Sequence, residues 1–327
     1  MSMLKVGLIG CGFMGRMHAN VYSTLHGVKL VAACDNDPER LVQFATKFGC
    51  QPFGDFNQMV ASEIDVVDVC LPTYLHMEYT CRAATAGKHV FSEKPMAMNL
   101  AEADEMIAAC SSAGVYLMIG HCIRFWPEYV LLKDMIDDRR LGRLHSLNLT
   151  RYGAFPTWSS ENWLADESKA GGGVLDMHIH DTDYAHFALG EPDHMVSFGT
   201  VNETGPAQAF TTMTFGDSIV HLEGGWNLPE HTPFRMTFRA IFERGAAIMD
   251  GGPMQVFENG KDPITPEVVK MDVGGGGNIS DLGGYYHELK YFVECLTSGK
   301  PLVTVTPQTS RQSLATTLRE IEMIKSR

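Results

Sequence analysis

The sequence predicts an α/β protein, with a doubly wound parallel sheet in its first part and a second domain dominated by strands. Three observations carry this expectation. A short apolar run at 5–9 turns through the glycine-rich "GCGFMG" (10–15) into a helical stretch. Runs rich in Val, Ile and Leu then alternate with helical segments up to residue 120, the pattern of a parallel sheet covered on both faces. After about residue 140 the alternation stops and strand-like segments succeed one another.

The elements follow in order. Gly10, Gly12 and Gly15 fit G-x-G-x-x-G, where glycines permit a tight turn, close approach of backbone to a pyrophosphate and close packing of helix on sheet. The helix opening at Phe13 and Met14 offers its N-terminal amides and dipole to the phosphates. This is the fingerprint of a Rossmann domain. A second strand, 29–34, ends in Asp35, 20 residues past Gly15. A carboxylate there accepts from the adenosine ribose and repels a 2′-phosphate, so NAD is expected over NADP. Two alternatives stay open: Asp35 as a turn or capping residue before Pro38, and Arg40 swinging toward a 2′-phosphate, which keeps NADP possible.

Helix 38–48, strand 65–71, helix 75–86, strand 89–92, helix 100–113 and strand 115–120 complete the first domain, assigned to residues 1–120. Ligands of such sheets lie beyond the carboxyl ends of the strands. "GCGFMG", "LPTYLH" (71–76) and "SEKP" (92–95) all end there, which assigns Pro72, Thr73, His76, Glu93 and Lys94 to the cofactor site. His76 reads equally as a solvent-facing residue at a helix start. Residues 121–327 form the second domain, with strands expected at 143–155, 194–204, 207–216, 218–228, 234–250 and 254–260 and helices at 281–297 and 308–324.

Bulk properties narrow the function. A chain of 327 residues exceeds what one core usually organises, which agrees with two domains. Net charge is −13, shared as −4 over residues 1–120 and −9 over 121–327, the wrong sign for a surface that tracks phosphates, so no nucleic-acid partner is expected. No apolar run is long enough for a bilayer span and no secretory signal is read at the start, so a cytoplasmic protein without membrane partners is expected. The eight cysteines are scattered with no CxxC pair, which suits reduced thiols and no cysteine metal site.

With "EKP" at 93–95 beside "GLIGCGFMG" and "GGGVLDMHIHD", and with "RFWPEY" (124–129) and "ELKYFVECLTSGKPLVTVTP" (288–307) further on, the chain resembles the glucose–fructose oxidoreductase/inositol dehydrogenase/rhizopine catabolism (Gfo/Idh/MocA) family. The resemblance implies an N-terminal Rossmann domain followed by an α+β domain on a large, mostly antiparallel open sheet. It also implies that the last helix packs back near the Rossmann domain, and that the exposed face of the sheet makes a homodimer or homotetramer.

The polar stretch "GGGVLDMHIHDTDYAHF" (171–187) then asks for a role. On a helix, Asp176 and His180 lie four apart and share a face. His178 is turned about 200° from His180, so the HxH spacing does not chelate and no metal is expected. Oxidising an alcohol carbon requires the hydroxyl proton to leave as the hydride does, and an imidazole of ordinary pKa about 6.5 suits that task. The resemblance assigns His180 as general base, Asp176 as the residue orienting substrate, and Lys94 as the group that polarises the substrate oxygen and contacts the cofactor, its bond to Pro95 being cis in relatives. An ordinary surface Asp–His pair and a solvated lysine are the plain alternatives.

Further candidate substrate contacts are Arg124, Tyr152 and Trp163, with His121, Trp158 and Asn162 behind them; Phe125, Trp126 and Trp158 read alternatively as interface residues. Tyr285, Tyr286 and His287, after "GGGGN" (274–278), are candidates for a flap. The leading expectation is an NAD(P)-dependent dehydrogenase acting on a secondary alcohol of a sugar, cyclitol or sugar derivative. The alternatives are a glycoside hydrolase of the same fold that uses NAD transiently, and a non-catalytic NAD- or sugar-binding sensor.

Overall fold

The protein is described from a computed structural model, covering residues 3–157, 159–268 and 283–326. It divides into two compact units, one formed by Met1–Phe125 with Lys270–Arg311 and the other by Trp126–Val269 with Gln312–Arg327.

In the first unit, strands β1 (Leu4–Ile9), β2 (Val28–Cys34), β3 (Gln51–Phe53), β4 (Val66–Val69), β5 (His89–Glu93) and β6 (Leu117–Gly120) alternate with helices α1 (Phe13–Tyr22), α2 (Pro38–Phe48), α3 (Phe56–Val60), α4 (His76–Thr85) and α5 (Leu100–Ala113). They form a parallel sheet in the order β3-β2-β1-β4-β5-β6, with the order reversing beside β1. The helix ends carry their own signals. Asp37 caps α2 by accepting from the Glu39 and Arg40 amides, Pro38 takes its first turn, and Gly49 ends it at φ 67°. Asn99 and Gly114 do the same for α5. The strands are buried because both faces are covered: Val66, Val67 and Val69 are fully enclosed.

The second unit holds α6 (Pro127–Asp138), β7 (Leu144–Ala154), α7 (Glu167–Ala170), α8 (Ile179–Leu189), β8 (His194–Asn202), β9 (Gly205–Phe215), β10 (Ser218–Leu228), β11 (Arg235–Phe242), β12 (Gly245–Met249) and β13 (Gln255–Glu258). Its sheet runs β13-β12-β11-β7-β10-β9-β8, antiparallel except for the β7–β10 pair. Period-two alternation gives the sheet two characters. Leu147, Leu149, Val220, Leu222, Phe238 and Ala240 are buried on one face. Phe198, Phe210, Ile219 and Ile241 are exposed on the other.

Helices α9 (Gly283–Ser298) and α10 (Pro307–Lys325) close the chain. The structure groups α9 and the first turn of α10, as far as Arg311, with the Rossmann sheet. Leu289, Phe292 and Val293 form a helical stripe that joins Val6, Leu8 and Phe91 in one core. From Gln312 onward α10 belongs with the second sheet. Tyr285 and Tyr286 lie in the first turn of α9 against that core rather than in a loop, while "GGGGN" lies outside the described residues.

Candidate active site

The glycine turn is shaped by close approach. Gly10 adopts φ 96°, and a Cβ there would stand 2.3 Å from the Cys70 carbonyl oxygen; one on Gly15 would stand 2.0 Å from that of Gly10. Gly12 differs: nothing lies within 4 Å of where its Cβ would be. Gly12 is also the N-cap of α1, and no side chain caps that helix start. An open floor before uncapped amides suits a diphosphate. Phe13 and Met14 are half-buried in the first turn of α1, and Pro72 is half-buried before the turn Thr73–Leu75. The Thr73 hydroxyl is buried without a hydrogen-bond partner. These features fit a dinucleotide.

Asp35 ends β2 and is 8% exposed. One of its oxygens accepts from the Cys11 amide and the other from the Asp37 amide, each at 2.8 Å, which ties it to the glycine turn. Arg40 Nε lies 3.4 Å from Asp35, and its guanidinium donates to Asp37 at 3.0 Å. Two carboxylates against one guanidinium leave this corner negative, which favours a ribose hydroxyl over a 2′-phosphate.

At the ends of β4 and β5 two expected cofactor residues face inward. His76 is 1% exposed, its Nδ1 and Nε2 each 2.8 Å from a main-chain carbonyl, those of Pro95 and Leu71. Burial holds the ring below its ordinary pKa. It is therefore not a solvent-facing helix start. Glu93 is also buried, its carboxylate accepting from the Lys94 amide at 3.0 Å and meeting His18 Nε2 at 3.0 Å. Burial opposes its charge, but His18 and then Lys94 prevail and hold it below the usual carboxylate range. His18, which sequence reading passed over, meets Asp68 at 2.9 Å through its other nitrogen. Burial works against a charged ring there, yet Asp68, with Cys70, raises His18 well above its ordinary value. Lys94 is half-buried, and its bond to Pro95 is cis.

In the second unit the polar stretch 171–187 sorts itself. Gly172 and Gly173 let it press onto β9: a Cβ on either would stand within 2.6 Å of the Pro206 or Ala207 carbonyl oxygen. The expected continuous α-helix begins instead with a π-helical turn, Val174–His178, before α8. Such turns often occur at functional sites. Four residues apart still means nearly the same side, so Asp176 and His180 keep a common face. Their neighbours are committed to packing. His178 is fully buried against Glu320 at 3.1 Å; burial lowers its pKa, but Glu320 outweighs burial and the net shift is upward. Asp181 makes a buried two-pronged pair with Arg151 at 2.9 and 3.1 Å. Asp183 accepts from Ser313, and His186 meets Thr316. Asp176 and His180 are left half-exposed.

The substrate candidates divide. Trp163 packs in the cluster of Leu164, Ala170 and Trp226 that also holds Met177, the residue after Asp176 in the chain, and it follows Glu161 and Asn162, which both hold positive φ (55° and 51°). Arg124 is 2% exposed, and its guanidinium donates to the Thr304 carbonyl at 2.7 Å and to Thr309 at 3.1 Å. It ties the chain together where a substrate contact was expected. His121 is 1% exposed, and Asn162 is exposed. Tyr152 alternates with Arg151, so it stands on the sheet face away from Asp181 and α8. Trp158 lies outside the described residues.

Residues 4–121 match the oxidoreductase family with an NAD-binding Rossmann fold, and residues 129–248 match the GFO/IDH/MocA C-terminal domain. The chain is 30% identical over 241 residues to 2,7-anhydro-N-acetylneuraminate hydratase of Escherichia coli, covering 70% of this chain and 64% of the relative. It is 33% identical over 191 residues to myo-inositol 2-dehydrogenase of Thermotoga maritima, covering 58% and 55%. The chain thus spans less than two thirds of the length of these relatives. An oxidoreductase from Agrobacterium radiobacter, solved in complex with NAD+, L-tartaric acid and magnesium, superposes with a TM-score of 0.87 at 20% identity, covering 99% of this chain and 96% of that one, a likeness of fold. Among the described residues no helix is long and apolar enough to cross a membrane. Two matched domains in the same order, together well over half of the sequence, on the fold they describe, show that the chain belongs to the Gfo/Idh/MocA oxidoreductase family, with an NAD-binding Rossmann domain as its first part.

Proposed function

We propose that the chain is an NAD-dependent dehydrogenase acting on a secondary alcohol of a sugar, cyclitol or sugar derivative. The observation that carries this is the placement of the stretch 171–187: His178, Asp181 and Asp183 are fully buried in packing contacts, while Asp176 and His180 are half-exposed on one face. NAD, when bound, supplies the hydride acceptor. The chain's own groups do the rest. His180 takes the hydroxyl proton, Asp176 orients the carbinol, and Lys94 polarises the oxygen as negative charge develops on it. Gly10, Gly12, Gly15, the start of α1, Thr73 and Asp35 hold the cofactor, with NAD favoured because Asp35 and Asp37 together outweigh Arg40. Trp163 is the substrate contact retained from the sequence candidates; Arg124 and Tyr152 are set aside. The exposed apolar row Phe198, Phe210, Ile219 and Ile241 supports a homo-oligomer through that sheet face.

The test is turnover of NAD, and separately of NADP, against a panel of inositols, aldoses and sugar acids, with His180→Ala and Lys94→Met in parallel. Oxidation of one substrate class that is lost in both variants supports the reading; turnover untouched by His180→Ala overturns its base. The relative named a hydratase favours one second reading, in which NAD is used transiently for elimination and addition at a sugar, as in the glycoside hydrolases of this fold. Product formation without net NADH would select it.

A further inference from the structure

Lys94 is flanked by two histidines that the chemistry above does not use. On its N-terminal side the Lys94 amide donates to Glu93 Oε2 at 3.0 Å, Glu93 Oε1 meets His18 Nε2 at 3.0 Å, and His18 Nδ1 meets Asp68 at 2.9 Å. On its C-terminal side the Pro95 carbonyl lies 2.8 Å from His76 Nδ1, and His76 Nε2 lies 2.8 Å from the Leu71 carbonyl. The rings come from different helices, His18 from α1 and His76 from the first turn of α4. The His18 path ends on β4 at Asp68, while the neutral His76 ring, with a single N–H, donates to one of its two carbonyls. Both rings are buried, at 0% and 1% exposure. A buried polar group must recover in hydrogen bonds what it loses in hydration. Here those bonds go to the two residues on either side of Lys94.

We propose that His18 and His76 are positioning residues for Lys94, the first tying Glu93 to Asp68 on β4 and the second, as the tautomer protonated at Nδ1, donating to the Pro95 carbonyl, so that the Lys94 side chain leaves the strand end in a single direction. This rests on the reading of Lys94 as the group that polarises the substrate oxygen; neither ring touches substrate. Reacting groups tolerate little misplacement, since a shift of about 1 Å can cost on the order of 100-fold in rate. Loss of a clamp therefore lowers kcat more than it raises KM, and it leaves the glycine turn able to hold the cofactor.

The experiment uses the full chain with His76→Leu, His76→Gln and His18→Asn, each checked by thermal melting and by NADH titration. The first readout needs no substrate: the acylation rate of Lys94 relative to exposed Lys29, followed by peptide mass spectrometry. His76→Leu and His18→Asn are expected to raise that ratio several-fold with NADH affinity unchanged, and His76→Gln, which keeps a donor for the carbonyl, to restore it. On the substrate found for the wild type, kcat falls by about 10–100-fold with KM nearly constant, the signature of an interaction made in the transition state. A labelling ratio unmoved in both His76→Leu and His18→Asn overturns the proposal. If His18→Asn fails to fold, the His76 pair decides on the same readouts. Lys94→Met separates the two claims: full turnover in it removes the chemical role of Lys94, while the labelling ratio still judges the clamp.

Discussion

Glu288→Gln should stabilise the first unit, and increasingly so as pH rises. Glu288 lies on α9 with no solvent exposure, and neither of its oxygens has a hydrogen-bond partner. Carboxylate oxygens of Glu288 and Glu93 and a ring nitrogen of His18 all lie within 4.8 Å of one another. Burial, and then the charge on Glu93, raise Glu288 well above the ordinary carboxyl pKa, against a smaller pull from His18. A group whose folded-state pKa lies above its unfolded value contributes stability that is complete below the unfolded value and lost as pH rises through the folded one. Between those limits the unfolded chain has released a proton that the folded chain retains, and stability declines by about 1.4 kcal/mol per pH unit. Glutamine removes that dependence while keeping shape. The advantage of the variant grows as pH rises from the unfolded carboxyl value toward the raised folded one, with a limiting slope of about 1.4 kcal/mol per pH unit. Its offset at the lower pH reports only the exchange of a neutral acid for an amide. The assay is urea unfolding by far-UV circular dichroism at fixed ionic strength, because all four tryptophans belong to the second unit. A difference between variant and parent that stays flat across this range would refute the reasoning, since Glu288 would then bind its proton equally in both states.

Three further outcomes are expected. Asp181→Leu alone costs about 3–5 kcal/mol in urea unfolding followed by tryptophan fluorescence, because it strands the buried Arg151 guanidinium, and Arg151→Met in the same chain recovers most of the loss; equal costs for single and double variants would contradict this. Asp35→Ser weakens NAD binding by roughly 10- to 100-fold by calorimetry, the loss of a charged hydrogen bond worth about 1.5–3 kcal/mol, and raises the NADP-to-NAD preference as Arg40 is freed from it; an unchanged preference would detach Asp35 from the ribose. Phe198→Lys with Phe210→Glu lowers the mass seen by light scattering without changing the melting of the isolated fold, whereas an unchanged mass would place the association surface elsewhere.

The two parts of this protein were legible to different depths. Glycines at 10, 12 and 15, an acidic end to β2 and apolar runs between helices are local signals, each set by backbone freedom or by a period of about 2 or 3.6 residues, so the Rossmann sheet and most strands of the second sheet could be read directly. The edge strand Gln51–Phe53 was not, being three residues long with a proline inside. Side-chain roles at the site were harder. Nothing local distinguishes His178 from His180 or Asp181 from Asp176; Glu320, 142 positions from His178, and Arg151, 30 from Asp181, hold one of each in a fully buried pair, while the other two are half-exposed. His18 and His76 likewise acquire their places from Asp68, Glu93, Leu71 and Pro95, and Arg124 is taken by residues about 180 positions away. The sequence by itself therefore determined the family, the nucleotide fold and which residue types were available for proton transfer. Only the tertiary structure decided which of them remain accessible, because a buried polar group must find a partner and that partner is chosen by packing between distant segments.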